Sequence, residues 1–434
     1  MGIFSSLNYK QKEAVAILQI GTVLEYFDLM LYVHMAVLLN ELFFPKSDPL
    51  TAHFISAITF CSTFVFRPFG ALLFGYIGDN IGRKATVIIT TAMMAICCAT
   101  MANLPTYSQI GITAAWAVTI CRIAQGLSSM GEIIGAQIYL TELVAPPSRY
   151  PIVALMGCAN CFGTMMALAV ATAILRLGLS WRIAFWFGAL IAVVGFIART
   201  ALRETPMFIE AKHRKIQKKL KKEDLVINKK TSLAYFLIQC ARPVCMYFCY
   251  IYCGNLLKNM FMYSSDQVIQ HNFIVAIVDL LGVICFTFLS YTIYPLKILK
   301  MKIILFFGFM LSLPMLLSIS NSPMHILCLQ LFICLFAIDS FPGDAVFFSH
   351  LPILKRFTQA SFFYALSRAI MYIITSFGLI YIVNIFGNYG LWIIFAPLFV
   401  GFCYGVYYFD KLEKKSIEPI TQISSNKPLA SEIT

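Results

Sequence analysis

Apolar runs long enough to cross a bilayer recur along this chain with little interruption. Roughly twenty consecutive apolar residues span a hydrocarbon core, and runs of that order read at 14–42, 53–78, 85–103, 109–141, 150–176 and 181–202. A basic stretch follows, and then six further runs at 232–257, 267–294, 300–319, 324–348, 358–384 and 389–409. Backbone polar groups in lipid must be satisfied within their own segment, so runs of this kind are helices. The pattern predicts an all-α membrane protein with twelve transmembrane helices in two six-helix halves. Residues 1–198 form the N-terminal half, 199–231 a linker, 232–409 the C-terminal half and 410–434 a polar tail without a heptad pattern. The first run is too long for a signal-peptide core and carries two acids, so it reads as a retained helix.

Composition narrows the class further. Of 434 residues 60% are hydrophobic and 12% charged, with a mean hydropathy of +0.80. A soluble chain of this length needs more charge to cover its surface. The net charge of +13 suggests nucleic acid until the charges are placed. Residues 199–230 hold eleven Lys/Arg against four Asp/Glu, so about half of the excess lies in the linker. No nucleic-acid partner is expected. The 14 cysteines are scattered through apolar runs, which is no disulfide framework. Cys158 and Cys161 make a C-x-x-C, and Cys245, Cys249 and Cys253 share a helical face. With no histidine beside them they read as packing residues, and neither a metal nor a cofactor is expected.

The distribution of Lys and Arg sets the orientation. Lys10, Lys12, Arg83, Lys84, Arg149, the linker, Lys297, Lys300, Lys302, Lys355, Arg356, Lys411, Lys414 and Lys415 fall on one side of the predicted spans. The other side offers little beyond Lys46, Arg176, Arg182 and Lys258. Both termini and the linker are therefore expected to be cytoplasmic. The linker's charge is explained by this orientation alone. Attraction of Lys212–Lys222, as a surface helix, to anionic headgroups is compatible with it.

The stretch Arg67–Lys84, R-P-F-G-A-L-L-F-G-Y-I-G-D-N-I-G-R-K, joins the second and third spans through a very short turn. Gly75 and Gly78 allow close helix approach, and Gly82 gives the turn backbone freedom. Asp79 and Arg83 bring opposite charges there, able to pair with each other or with helix ends.

Acids inside spans are rare and mark function or pairing. Glu25 and Asp28 are three residues apart on one face of the first helix, with Tyr32 continuing that face. Burial and mutual repulsion disfavour ionisation of both, which suits groups that bind and release protons. The structural alternative is neutralisation by Arg67 or Arg122. The fourth span carries Arg122, Gln125, Ser129 and Glu132 close together on a helical wheel. Glu25, Asp28 and Glu132 are thus the proton-coupling candidates, with Glu25 and Asp28 placed deeper. Arg122, Gln125 and Tyr32 are candidates for the solute.

The turn at Gly75, Asp79, Gly82, Arg83 and Lys84 resembles the signature loop of the major facilitator superfamily, although Asn80 replaces its usual basic residue. Taken with Glu25-Tyr26-Phe27-Asp28, Arg67-Pro68-Phe69-Gly70, Arg122 to Glu132, Tyr139-Leu140-Thr141-Glu142 and Glu204-Thr205-Pro206-Met207-Phe208, the chain over 15–210 resembles the metabolite:proton symporter family. Asn103-Leu104-Pro105-Thr106-Tyr107 and Ser180-Trp181-Arg182-Ile183-Ala184-Phe185 fit as well, and the proline/betaine transporters are nearest in pattern. Met130 stands where that family often has a first glycine. The resemblance implies alternating-access symport of a small organic solute with a proton across the bacterial inner membrane, by a monomer surrounded by lipid.

The C-terminal half departs from the pattern. Tyr294 to Lys300 lacks the aspartate and the glycine–arginine pair, and Ser349 stands where an acid is usual. Asp279, Asp339, Asp344 and Arg368 remain as ionisable residues there. Asp279 and Arg368 are the better solute-site candidates, and Asp344, beside Pro342-Gly343, reads as a boundary residue. Tyr364, Ser367, Arg368 and Tyr372 share a face. These departures leave room for a second reading, a transport-inactive relative serving as a nutrient sensor. An enzyme is not expected, because no nucleophile–base pair stands at credible spacing.

Overall fold

The computed structural model describes residues 4–44, 63–217 and 226–425. Every regular element among them is helical. In the N-terminal half α1 is Tyr9–Phe43, α2 Arg67–Asn80 and α3 Arg83–Asn103; α4 runs Ile112–Met130, turns through π-helical Gly131–Gly135 and continues as Ala136–Leu143. Two further helices, α5 (Arg149–Leu177) and α6 (Arg182–Thr200), complete it, and the linker holds a helix at Pro206–Ile216. In the C-terminal half α7 is Lys229–Met246 with a π-helical Tyr247–Tyr252 and Cys253–Phe261, α8 is Ser265–Thr292 and α9 is Pro295–Ser318. The chain then forms α10 as two pieces, Pro323–Phe336 and Asp344–Ser349, before α11 (Arg356–Ile373, π-helical Ile374–Gly378, Leu379–Phe386) and α12 (Leu391–Ser425).

Eight described helices are long and apolar enough to cross a membrane, and Pro323–Phe336 is a shorter apolar one. The other predicted spans differ for identifiable reasons. The first part of the second span lies outside the described residues. The tenth is broken outright between Phe336 and Asp344; the fourth and eleventh each contain a π-helical turn, as does the seventh, which is among the eight. Large apolar side chains such as Trp116 (64% exposed), Ile304 (73%) and Phe288 (59%) point outward, as lipid-facing residues must.

Several boundaries move relative to the sequence reading. The ninth span starts at Pro295 rather than 300, since a proline is well tolerated in the first turn. The linker helix occupies Pro206–Ile216, upstream of the expected surface helix at 212–222, part of which lies outside the described residues. Polar residues after 409 continue α12 to Ser425 instead of leaving the helix.

The halves meet along two seams, α2 against α11 and α5 against α8. Glycines set their closeness. A β-carbon at Gly75 would sit 2.6 Å from the Thr358 Cα, so α2 touches the α11 backbone there. On the other seam, Gly157 of α5 leaves a β-carbon only 3.0 Å from the Phe341 ring and 3.2 Å from Val283. Glycine at Gly70 and Gly126 instead serves packing within the N-terminal half, against the carbonyls of Leu127 and Thr63.

Candidate functional site

Three charged clusters are built from these helices. The first lies inside the N-terminal half. Glu25 and Asp28, adjacent on α1, are drawn to different arginines: Arg67 Nη2 lies 3.4 Å from Glu25 Oε1, and Arg122 Nη1 lies 3.2 Å from Asp28 Oδ2. Gln125 Nε2 donates to Asp28 at 2.8 Å and Gln125 Oε1 accepts from Arg122 at 2.8 Å. The Tyr32 ring lies under the Arg122 guanidinium, 4.1 Å from centroid to Cζ. Each acid is therefore held by a cation and both are buried. Glu132 falls in the π-helical turn, where a wheel of 3.6 residues per turn no longer applies; its side chain lies outside the described residues.

The second cluster closes the end of the bundle that carries the basic loops. Arg83 is completely buried and donates to Asp79 at 3.2 Å, to Gly78 O at 2.5 Å and to both Glu142 oxygens at 3.1 and 3.2 Å. It also donates across the seam to Ile353 O at 2.7 Å. Arg356 of the other half reaches Glu142 Oε1 at 3.1 Å. Asp79 accepts the backbone N–H groups of Phe357 and Thr358 at 3.0 and 2.9 Å, which caps α11. One turn of the signature loop thus binds the first turn of a helix in the opposite half.

Glu204 explains the remaining glycine. Its carboxylate accepts from the N–H groups of Arg83 (3.1 Å) and Lys84 (3.3 Å), capping α3. A β-carbon at Gly82 would collide with that carboxylate. Phe208, four residues on, lies 4.4 Å under the Arg83 guanidinium, and Thr205 donates to Glu142 at 2.7 Å. The E-T-P-M-F segment and the signature loop are one packed unit.

The third cluster surrounds a central cavity between the halves, with about 50 Å³ of water-accessible space. Its walls include Tyr26 and Asn160 from one half and Arg242, Asp344, Tyr364 and Arg368 from the other. The hydroxyls of Tyr26 and Tyr364 meet across it at 3.5 Å. Arg368 lies over the Tyr364 ring, 3.3 Å from its centroid, and donates to Gln239 Oε1 at 3.2 Å. Gln239 Nε2 in turn points to Asp344 Oδ1 at 3.5 Å, so a neutral amide separates an acid from a cation. Behind them Asp339 is shared between Arg242 (2.9 Å) and Lys302 (3.0 Å), and Asp279 accepts from Cys161 at 3.4 Å.

A volume of ~50 Å³ holds one or two waters at about 30 Å³ each, against ~300–1,000 Å³ for a ligand pocket. The halves are drawn together over the centre in this arrangement.

A family model described as "Sugar (and other) transporter" matches residues 14–230, half of the chain. The chain belongs to this family. It is 35% identical over 225 residues to the inner membrane metabolite transport protein YhjE of Escherichia coli K12, covering 50% of this chain and 51% of that one. It is 32% identical over 210 residues to the proline/betaine transporter of the same organism, covering 46% and 41%. The chain thus spans about half the length of the curated relatives it matches. Among solved structures, the major facilitator superfamily proton:xylose symporter XylE aligns at a TM-score of 0.74 with 16% identity, over 93% of this chain and 95% of that one. Fold similarity therefore covers both halves, while the two sequence relatives named here match about half of the chain. The resemblance to the metabolite:proton symporters of the major facilitator superfamily stands, and so does the all-helical fold.

Of the residues singled out in the sequence, Arg368 lines the cavity, while Arg122, Gln125 and Tyr32 gather with Asp28 inside the N-terminal half. Asp279 sits behind the wall. Asp344, expected at a boundary, starts the second piece of α10 and is also buried in the cavity wall. In the sequence Glu142 and Glu204 read only as parts of motifs, and Lys302, which reads there as an orienting loop lysine, is buried inside α9 because that helix starts at Pro295; Arg242 was passed over. An arginine beside Pro243 inside an apolar run was the available signal for Arg242.

Proposed function

We propose that this protein is a secondary active transporter that moves a small organic solute bearing a carboxylate, proline/betaine-like or ketoglutarate-like, together with a proton. It works in a bacterial inner membrane by alternating access, with both termini and the linker cytoplasmic. The observation that carries this reading is the placement of Arg242, Arg368 and Asp344 in a cavity between two halves whose closed end is latched by Asp79, Arg83, Glu142 and Arg356. Separating the halves at either end opens the cavity to one side at a time.

Within it, Arg368, stacked on Tyr364, is the cation for the solute carboxylate, and Tyr26 in the opposite wall is the aromatic available to a quaternary or secondary ammonium. A coupling acid must exchange its proton with water and must not be held ionised by an arginine. Glu25 and Asp28 each sit in an ion pair, whereas Asp344 lines the cavity beside a neutral glutamine. Asp344 is therefore the proton carrier of this reading, and the α1 pairs with Arg67 and Arg122 hold the N-terminal half together. The names of the sequence relatives, an E. coli proline/betaine transporter and a Klebsiella pneumoniae citrate-proton symporter, support solute and proton as the cargo class.

A transport-inactive nutrient sensor is the second reading. It is favoured by the C-terminal loop, where Tyr294 and His350 both engage Glu413 at 2.5 Å in place of a signature aspartate and arginine. Uptake of radiolabelled proline, betaine and ketoglutarate into proteoliposomes, with and without an imposed pH gradient, separates the two. Accumulation that requires the gradient supports symport. Saturable binding without flux supports the sensor and overturns the transporter.

A further inference from the structure

A cleft of about 560 Å³ runs along the α2–α11 seam at the latched end. Leu72 of α2 forms one wall, and Phe236, Phe362, Phe363 and Leu366 of α7 and α11 form the other. It is open to the bilayer: Leu72 and Leu233 at its mouth are 48% and 49% exposed. Such a groove is lined for hydrocarbon along its length.

Its end at the basic loops is different. Lys229 and Lys355 line it there and both are exposed. Among the described residues neither is paired with an acid. Between them Gln359 is 5% exposed; its amide nitrogen donates to the Ser232 hydroxyl, while its Oε1 is buried with no hydrogen-bond partner. An orphan acceptor costs desolvation that a donor would recover. The cleft therefore offers two cations for an anion above an apolar trough, with an orphan acceptor just beneath the surface that a hydroxyl reaches once the Gln359 side chain swings outward.

We infer that this cleft is a binding site for one anionic phospholipid with a hydroxyl-bearing headgroup, of the phosphatidylglycerol type. The phosphate sits between Lys229 and Lys355, a headgroup hydroxyl donates to Gln359 Oε1, and an acyl chain lies between Leu72 and the phenylalanines. Basic pockets between membrane helices are suited to such headgroups. The occupant also touches both halves at once. Thr358, which lines the cleft, donates its N–H to Asp79 and abuts Gly75. Opening the seam takes Leu72 away from a lipid whose other contacts are all in the C-terminal half, so the lipid binds the closed seam more tightly and by linkage favours this arrangement. The site needs only that the chain span a membrane, whatever the solute.

The test is native mass spectrometry of the full chain released from nanodiscs of equal phosphatidylglycerol and phosphatidylcholine. One retained phosphatidylglycerol is expected, preferred by about thirtyfold at roughly fivefold per lysine. Lys229→Gln with Lys355→Gln should bring the two lipids near parity, and Gln359→Leu should lower phosphatidylglycerol retention with the lysines intact. Thermal unfolding in detergent identifies any variant that fails to fold, and the single substitutions then replace the double one. In spin-label distance measurements between Tyr76→Cys and Met371→Cys, on a background without the exposed Cys285 and Cys328, phosphatidylglycerol should narrow the distribution around the closed-seam distance relative to phosphatidylcholine. Equal retention of both lipids, or preference unchanged by the lysine substitutions, overturns the proposal. Displacement by free glycerol phosphate as effective as by the lipid would mark a soluble-anion site, and a dimer mass without lipid would give the groove to a second copy. Either result also overturns it.

Discussion

Arg356 crosses the seam between the halves to meet Glu142 at 3.1 Å. The same carboxylate oxygen takes Arg83 from its own half at 3.1 Å, so one buried acid holds a guanidinium from each side. Opening this end must leave Arg356 without it.

Glu142→Gln is expected to destabilise the closed seam selectively. Removing one partner of a buried pair costs about 3–5 kcal/mol, enough to shift a conformational equilibrium more than a hundredfold. Spin-label distances between Lys84→Cys and Lys355→Cys should lengthen, with little change in expression. An unchanged distance distribution would show that the latch does not set the equilibrium.

Asp79→Asn keeps the shape but weakens the cap on Phe357 and Thr358 and the pairing with Arg83. Transport should fall at least tenfold while membrane insertion stays near normal. Normal turnover would remove the signature loop from the proposed cycle.

Gly75→Ala and Gly126→Ala should behave differently although both introduce a close contact. The first pushes the halves apart at Thr358, the second forces α4 off the Thr63 carbonyl within one half. Overpacking costs about 1–3 kcal/mol, so Gly126→Ala should lower the unfolding temperature, whereas Gly75→Ala should mainly open the seam. Equal losses of thermal stability would contradict that division.

Asp344→Asn should abolish proton-driven accumulation but spare solute exchange, which needs no net proton movement. Glu25→Gln and Asp28→Asn leave Arg67 and Arg122 buried without their acids, and should impair both activities together. Proteoliposome assays of the three variants decide this. Loss of accumulation with intact exchange in Glu25→Gln would return the coupling role to α1.

Orientation is tested by reporter fusions. A fusion after Lys222 should report the cytoplasm and one at Asn103 the periplasm, as the Lys/Arg distribution requires. The reverse pattern at either site would mean the span count before it is wrong.

Much of the architecture was legible in the chain itself. Hydrophobic run lengths report a local requirement, backbone hydrogen bonding in lipid, and they gave the all-helical class and the approximate spans. The signature loop was equally readable, since Asp79 and Arg83 are four residues apart on adjoining helix ends. Local periodicity failed where the helices themselves are irregular. A wheel of 3.6 residues per turn does not carry through the π-helical Gly131–Gly135 to Glu132, and Asp344, at the boundary where the second piece of α10 starts, also lines the cavity. Partners were beyond the sequence altogether. Arg83 and Ile353 are 270 residues apart, and Glu142 and Arg356 are 214 apart. Glu142 stood out in the sequence only as the end of a motif, with nothing to say which cations it meets. Its role follows from where packing brings α4, the α2–α3 turn and α11 together. Likewise, the two acids of α1 read as one repelling pair until the folded half supplied an arginine for each. Spacing along a helix determines which side chains share a face, but only the packing of α2 and α4 against α1 decided which charge each of them meets.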